Sequence, residues 1–152
     1  MKNSCLIILT LLSFNISALI AQNFNDELQS LLDTKDISTL KGEFTSYRES
    51  INANLYTSVK QLGGFDLTII DQSGDCMIYG ISNNFSIANL NITMLKMLSP
   101  EGYTKYDSDD DSSIELMEDA TRRLTLVSAD RTSIANFTYF NDGSIGITIT
   151  KE

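Results

Sequence analysis

Residues 37–62 read ISTLKGEFTSYRESINANLYTSVKQL and run into Gly63-Gly64, and the reading of this stretch decides the architecture. Ile37, Leu40, Phe44, Tyr47, Ile51, Leu55, Val59 and Leu62 recur at steps of three or four, the spacing of one face of an α-helix. The double glycine offers the residue type that tolerates a left-handed C-terminal cap. The expectation is one long helix with its apolar stripe turned to the core. Gly42 and several Ser, Thr and Asn residues weaken its propensity, so its first turns are expected to be irregular. A coiled-coil seam fits less well, because the heptad phase slips after Ile51.

On the N-terminal side, Asn25 is placed to cap a short helix ending near Asp33. Asp26 and Glu27 would sit in its first turn, and Phe24 and Leu28 would form a hydrophobic staple. On the C-terminal side the period changes from about 3.6 to 2. Residues 65–70 and 76–81 read as two strands joined by the turn Asp71-Gln72-Ser73-Gly74-Asp75. Ser86 is placed to cap a second helix over 87–98, with Ile87, Leu90, Met94, Leu95 and Leu98 on one face. Ser99-Pro100-Glu101-Gly102 ends it. Residues 124–127 and 134–140 read as strands. Asn141-Asp142-Gly143-Ser144 is a hairpin turn, and Ile145, Ile147 and Ile149 alternate with smaller residues as in a half-buried strand. The fold class expected is α+β: an antiparallel sheet covered on one face by one long and one shorter helix. No internal repeat, low-complexity linker or second domain is visible.

Residues 1–21 read as a cleaved export signal, leaving residues 22–152 as one globular domain. Lys2 forms the positive start, an apolar run extends from Cys5 to Ile20, and a small residue, Ala21, precedes Gln22. The run is shorter than the roughly 20 apolar residues of a spanning helix, and Thr10, Ser13, Asn15 and Ser17 interrupt it. No other segment approaches spanning length. The expected location is outside the cytoplasm, periplasmic or secreted, with no membrane insertion after cleavage.

Without residues 1–21 the chain has 131 residues, 10 basic against 20 acidic, and a net charge of −10. Such a chain is repelled by phosphate backbones, so nucleic-acid binding is not expected. Its charge favours another protein, a basic one, or a cation. Cys5 would leave with the signal, and Cys76 alone cannot form an intramolecular disulfide. It lies in the apolar run Cys76-Met77-Ile78-Tyr79, where burial is the usual role of a free thiol. The chain has no histidine, which excludes Ser-His-Asp triads, Cys-His pairs and His-ligated zinc. Carboxylate pairs such as Asp71 and Asp75 carry no distinguishing spacing, and no enzymatic activity is expected.

One segment has chemical content. Residues 107–118 read DSDDDSSIELME. Against the EF-hand calcium-loop pattern, which it resembles over these residues only, Asp107, Asp109 and Asp111 take positions 1, 3 and 5. Ser113 falls at position 7, Ile114 at the apolar position 8, and Glu118 at position 12, where a bidentate carboxylate belongs. Calcium wants six to eight oxygens, and alternating aspartates can turn inward around one ion. Two features depart from the pattern. Ser112 stands where glycine makes the sharp turn, and Pro100 and Gly102 end the preceding helix too early, leaving 102–106 irregular or extended. An exiting helix would carry Leu116, Met117, Ala120 and Leu124. Arg122-Arg123 reads as surface charge facing this acidic loop. Asn84, Asn91 and Asn136 head Asn-x-Ser/Thr acceptor patterns. The function expected is an exported, non-catalytic binding protein with an acidic surface. The alternative is a calcium-binding structural or sensing module built on 107–118, with calcium its sole cofactor.

Overall fold

The computed structural model describes residues 23–109, 116 and 118–152. Helix α1 covers residues 23–32, and a 3-10 turn over Ile37–Leu40 leads into strands β1 (Lys41–Arg48), β2 (Ala53–Ser58), β3 (Phe65–Gln72) and β4 (Asp75–Ser82). Helix α2 (Phe85–Met97) then precedes β5 (Tyr103–Asp107), β6 (Ala120–Ser128), β7 (Ser133–Phe140) and β8 (Ile145–Lys151). The eight strands form one sheet in the order β1-β2-β3-β4-β8-β7-β6-β5, and every neighbouring pair is antiparallel. The chain is α+β, as expected. Among the described residues no helix is long and apolar enough to cross a membrane.

The long helix over 37–62 does not form. Its place is taken by the 3-10 turn and the β1–β2 hairpin, so the helices are two of moderate length. Phe44, Tyr47, Ile51 and Val59, half of the supposed core stripe, are 58, 52, 37 and 63% exposed. The misleading spacing has a physical cause. Phe44 pairs with Tyr56 and Tyr47 with Asn54, while the register slips between Phe44 and Ser46. That bulge puts residues three apart on the same face of a strand, which mimics a helical step. Aromatic, Thr, Ser and Asn residues hold helix weakly, and Asn52 adopts a left-handed conformation (φ 49°) at the hairpin turn, ending any helical run.

Smaller corrections follow the same logic. Helix α1 is already formed at residue 23, so Asn25 lies inside it and does not cap it, although Phe24 and Leu28 are both buried. Asn84, not Ser86, caps α2, its Oδ1 accepting the Ile87 N–H at 3.1 Å. The buried face of α2 is Ala88, Asn91, Ile92 and Leu95, about one residue of rotation from the expected stripe. Of the two alternatives for 102–106 the extended one holds, as the regular strand β5, whereas Ala120 and Leu124 belong to β6, not to an exiting helix. The element order itself repeats. A helix followed by a four-stranded meander occurs twice, and the halves meet where β4 pairs with β8.

A cross-strand row Ile69, Ile78, Ile149, Ala135 and Leu126 follows from the register, and all five are buried. They share one apolar cluster with Phe24, Leu28, Leu31 and Leu32 of α1 and with Ala88, Ile92 and Leu95 of α2. Phe24, Phe65 and Phe137 centre it, with ring centroids 6.1 to 6.5 Å apart, an arrangement worth about 0.5–1.5 kcal/mol per pair beyond burial. The intervening row, Thr68, Tyr79, Thr148, Asn136 and Thr125, faces the other way.

Candidate functional site

The acidic segment begins where β5 ends. Asp107 is the last residue of β5 and pairs with Leu124 of β6, a core position. This register turns its carboxylate inward, where it is 7% exposed. A carboxylate there requires partners, and two elements supply them. Arg122 of β6 donates from Nε at 3.3 Å and from Nη2 at 3.1 Å. Lys96, in the last turn of α2, forms an ion pair with Asp107 from above. Burial alone would lower the Lys96 pKa, but its hydrogen bond to Asp107 and the charges of Asp107 and Asp109 outweigh this and raise it.

Supports surround the cluster. The Arg122 guanidinium lies 5.2 Å over the Tyr139 ring, a favourable cation–π position. The Tyr139 hydroxyl donates to Asn89 Oδ1 of α2 at 3.1 Å. Lys105 donates to the Lys96 carbonyl near the end of α2, where basic side chains satisfy free carbonyls. Asp109 pairs with Arg122 Nε at 2.8 Å. The Ser108 N–H donates to the Arg123 carbonyl and the Arg123 N–H donates to Ser108 Oγ, at 2.9 and 2.8 Å. Two cations thus meet two carboxylates, and the base of the β5–β6 connection is clamped to α2 and β6.

Of the five expected calcium ligands, the structure brings Asp107 and Asp109 together, against Lys96 and Arg122. Asp111 and Ser113 lie outside the described residues, and Glu118 is exposed in the turn before β6. Among the described residues no three potential metal ligands are gathered. Arg122 does face the acidic segment, as the sequence suggests. Lys96 was not singled out there; a lone basic residue in the last turn of a helix was the available signal. The neighbouring β7–β8 turn brings Asp142 to the same end of the sheet, and the Asn141 N–H donates to the Asp119 carbonyl at 2.9 Å. The connection and this turn thus bring the exposed Asp119 and Asp142 to one end of the sheet.

Two other places gather polar groups. A cavity of about 610 Å³ is lined by Glu27, Lys60, Gly63, Gly64, Phe65 and Asn83, among others. Its charged groups are engaged within the chain. Glu27 accepts the Gly63 N–H at 2.7 Å, and Lys60 donates to the Ser30 carbonyl, Ser30 Oγ and Thr34 Oγ1 at 2.6 to 2.9 Å. Cys76 stands opposite Asp71 on β3, whose carboxylate binds Lys41 at 2.7 Å. Burial pushes the Cys76 thiol pKa up, with Lys41 only partly opposing it, so the thiol is protonated at neutral pH and a poor nucleophile. Asn91 is 1% exposed and donates to the Gly63 carbonyl at 3.1 Å, so it is inaccessible to glycosylation in the folded chain.

Compared with family models, with curated proteins and with solved structures, the chain finds no match.

Proposed function

We propose that the protein is an exported, non-catalytic binding protein whose β5–β6 connection presents negative charge to a basic protein partner. One observation carries this reading: the base of the connection is pinned by the neutral Lys96–Arg122–Asp107–Asp109 cluster, while Glu118 and Asp119 beyond it are exposed. A charged segment fixed at its base presents its charge in a defined place, and charge complementarity governs encounter and partner choice. In this reading α1 and α2 both cover the face bearing Ile69, Ile78 and Ile149, which their shared cluster supports.

The test compares the wild-type chain with D110N/D111N/E115Q/E118Q, which removes charge from the connection and leaves the clamp intact. Cross-linking in the native extracytoplasmic fraction should yield one stoichiometric basic partner. That partner should be lost in the variant and released at high salt, where the screening length shrinks to about 3 Å at 1 M. A partner retained by the variant refutes the reading. A rise in melting temperature at millimolar calcium, absent from the variant, would instead favour the calcium module, since a ligand that binds the folded state must stabilise it.

A further inference from the structure

We infer that β1 is a dimerisation edge at which two copies of this chain pair antiparallel about a two-fold axis. Among the described residues, strand β1 ends the sheet with β2 as its one neighbour, and residues 43–52 are all exposed. An edge strand of this kind offers unpaired backbone groups to another strand. What it offers them to is indicated by its own side chains. Two-fold pairing that sets Phe44 opposite Tyr47 of the second copy also sets Glu43 opposite Arg48 of the second copy, and both contacts occur twice. An isologous interface requires this self-complementarity.

The bulge makes the arrangement possible. In a regular strand, residues three apart point to opposite faces. The register slip between Phe44 and Ser46 places Phe44 and Tyr47 beside Tyr56 and Asn54 on a common face, so both aromatic pairs form on one side of the joined sheet. Their side chains are already positioned. Phe44 packs edge-on against Tyr56 at 5.7 Å, and the Tyr47 hydroxyl donates to Asn52 Oδ1 at 2.6 Å. Little rotamer freedom is therefore lost on pairing. Among the described residues, Glu43 and Arg48 take part in none of the ion pairs.

Charge also selects this edge. Two chains of net charge −9 repel. Residues 41–49 carry Lys41, Glu43, Arg48 and Glu49, a neutral strip along which two copies can approach. The other edge, β5, is five residues long and runs directly into the acidic connection, where like charges oppose pairing.

Sedimentation of the protein expressed from its full chain tests the inference. The wild-type chain should be dimeric at micromolar concentration. E43R and R48E should each raise the dimer dissociation constant at least tenfold, and the double variant E43R/R48E should restore it. Mixing E43R with R48E chains should give heterodimers, because charge then meets opposite charge at both ends. These positions are exposed, so cooperative melting of the monomeric variants, at a temperature lowered only by the lost association and no longer dependent on concentration, will show that they fold. A monomeric wild-type chain, or a dimer indifferent to both single substitutions, overturns the inference.

Discussion

Replacing Asp107 with asparagine keeps its shape and removes its charge, leaving Lys96 and Arg122 without their common anion. Breaking a fully buried ion pair from one side costs about 3–5 kcal/mol, whereas an exposed pair contributes about 0–1 kcal/mol. The Asp107 side chain is 6% exposed, but those of Lys96 and Arg122 are 30 and 23% exposed, and Arg122 keeps Asp109. The cost should therefore fall at about 2–3 kcal/mol, roughly 6–12 °C in melting temperature for a domain of this size. Asp109→Asn, at a side chain 49% exposed, should cost under about 1 kcal/mol. Urea titration of both variants, with the slope checked for constancy, measures the difference. The alkaline limb gives a second readout. The raised Lys96 pKa means that the pair stabilises fully below the unfolded lysine value and is lost only as pH climbs through the folded value. Asp107→Asn should shrink that part of the alkaline transition to what Asp109 sustains. Equal losses for the two variants, or a loss below about 0.5 kcal/mol for Asp107→Asn, would refute the assignment of the clamp.

The Lys41 hydrogen bond, with help from the Gly74 N–H, lowers the Asp71 pKa. This contribution is present above the unfolded carboxylate value and disappears as pH falls through the folded one. Lys41→Met should therefore lower stability at neutral pH and flatten the acid limb of the stability curve, as followed by thermal melts from pH 7 to pH 2. At Gly80, in the middle of the sheet, a Cβ would lie 2.7 Å from Leu67 Cδ2 and 2.8 Å from Ile147 Cγ2. Gly80→Ala should cost about 1–3 kcal/mol by overpacking, with an unchanged denaturant slope. Phe137→Ala, at a fully buried ring, should cost about 3–5 kcal/mol. Phe44→Ala should cost the monomer under about 1 kcal/mol, since its ring is 58% exposed. Similar losses at the two phenylalanines in chemical denaturation would revive the helical stripe.

The strands that could be read in advance are those with period-two patterns and short turns of their own. The β3–β4 hairpin and β7–β8 fall in this group, with Gly143 at φ 84° in the second turn. The β1–β2 hairpin is hidden because a bulge imposes the spacing of a helix, and the weak helix propensity of its Gly, Ser, Thr and Asn residues is the local signal against one. Helix α2 was found, but its phase was not. Asn91, a polar residue, is buried because the Gly63 carbonyl, 28 residues away, accepts its Nδ2, a partner that periodicity does not report. Arg122 is legible as a neighbour of the acidic segment, because the two lie at the two ends of one short connection. The inward turn of Asp107 comes from the β5–β6 register, which is not legible in the sequence, where residues 102–106 read as irregular or extended with no partner strand indicated.

The junction of the two halves bears on how the chain reaches its fold. The β3–β4 hairpin needs only a four-residue turn region, Gln72 to Asp75, and can close early. The far edge of β4 finds its partner only in β8, with Ile78 meeting Ile149 across about seventy residues, the kind of distant pairing that slows folding. Until then the N-terminal half exposes a central strand as a bare edge, open to aggregation. A chain stopped before residue 145 would leave β4 and β7 each with one bare edge and the core row broken at Ile149. The last seven-residue strand is therefore the step that commits the molecule. Late commitment also keeps the chain unfolded for longer after synthesis, when its bare edges are most exposed to other chains.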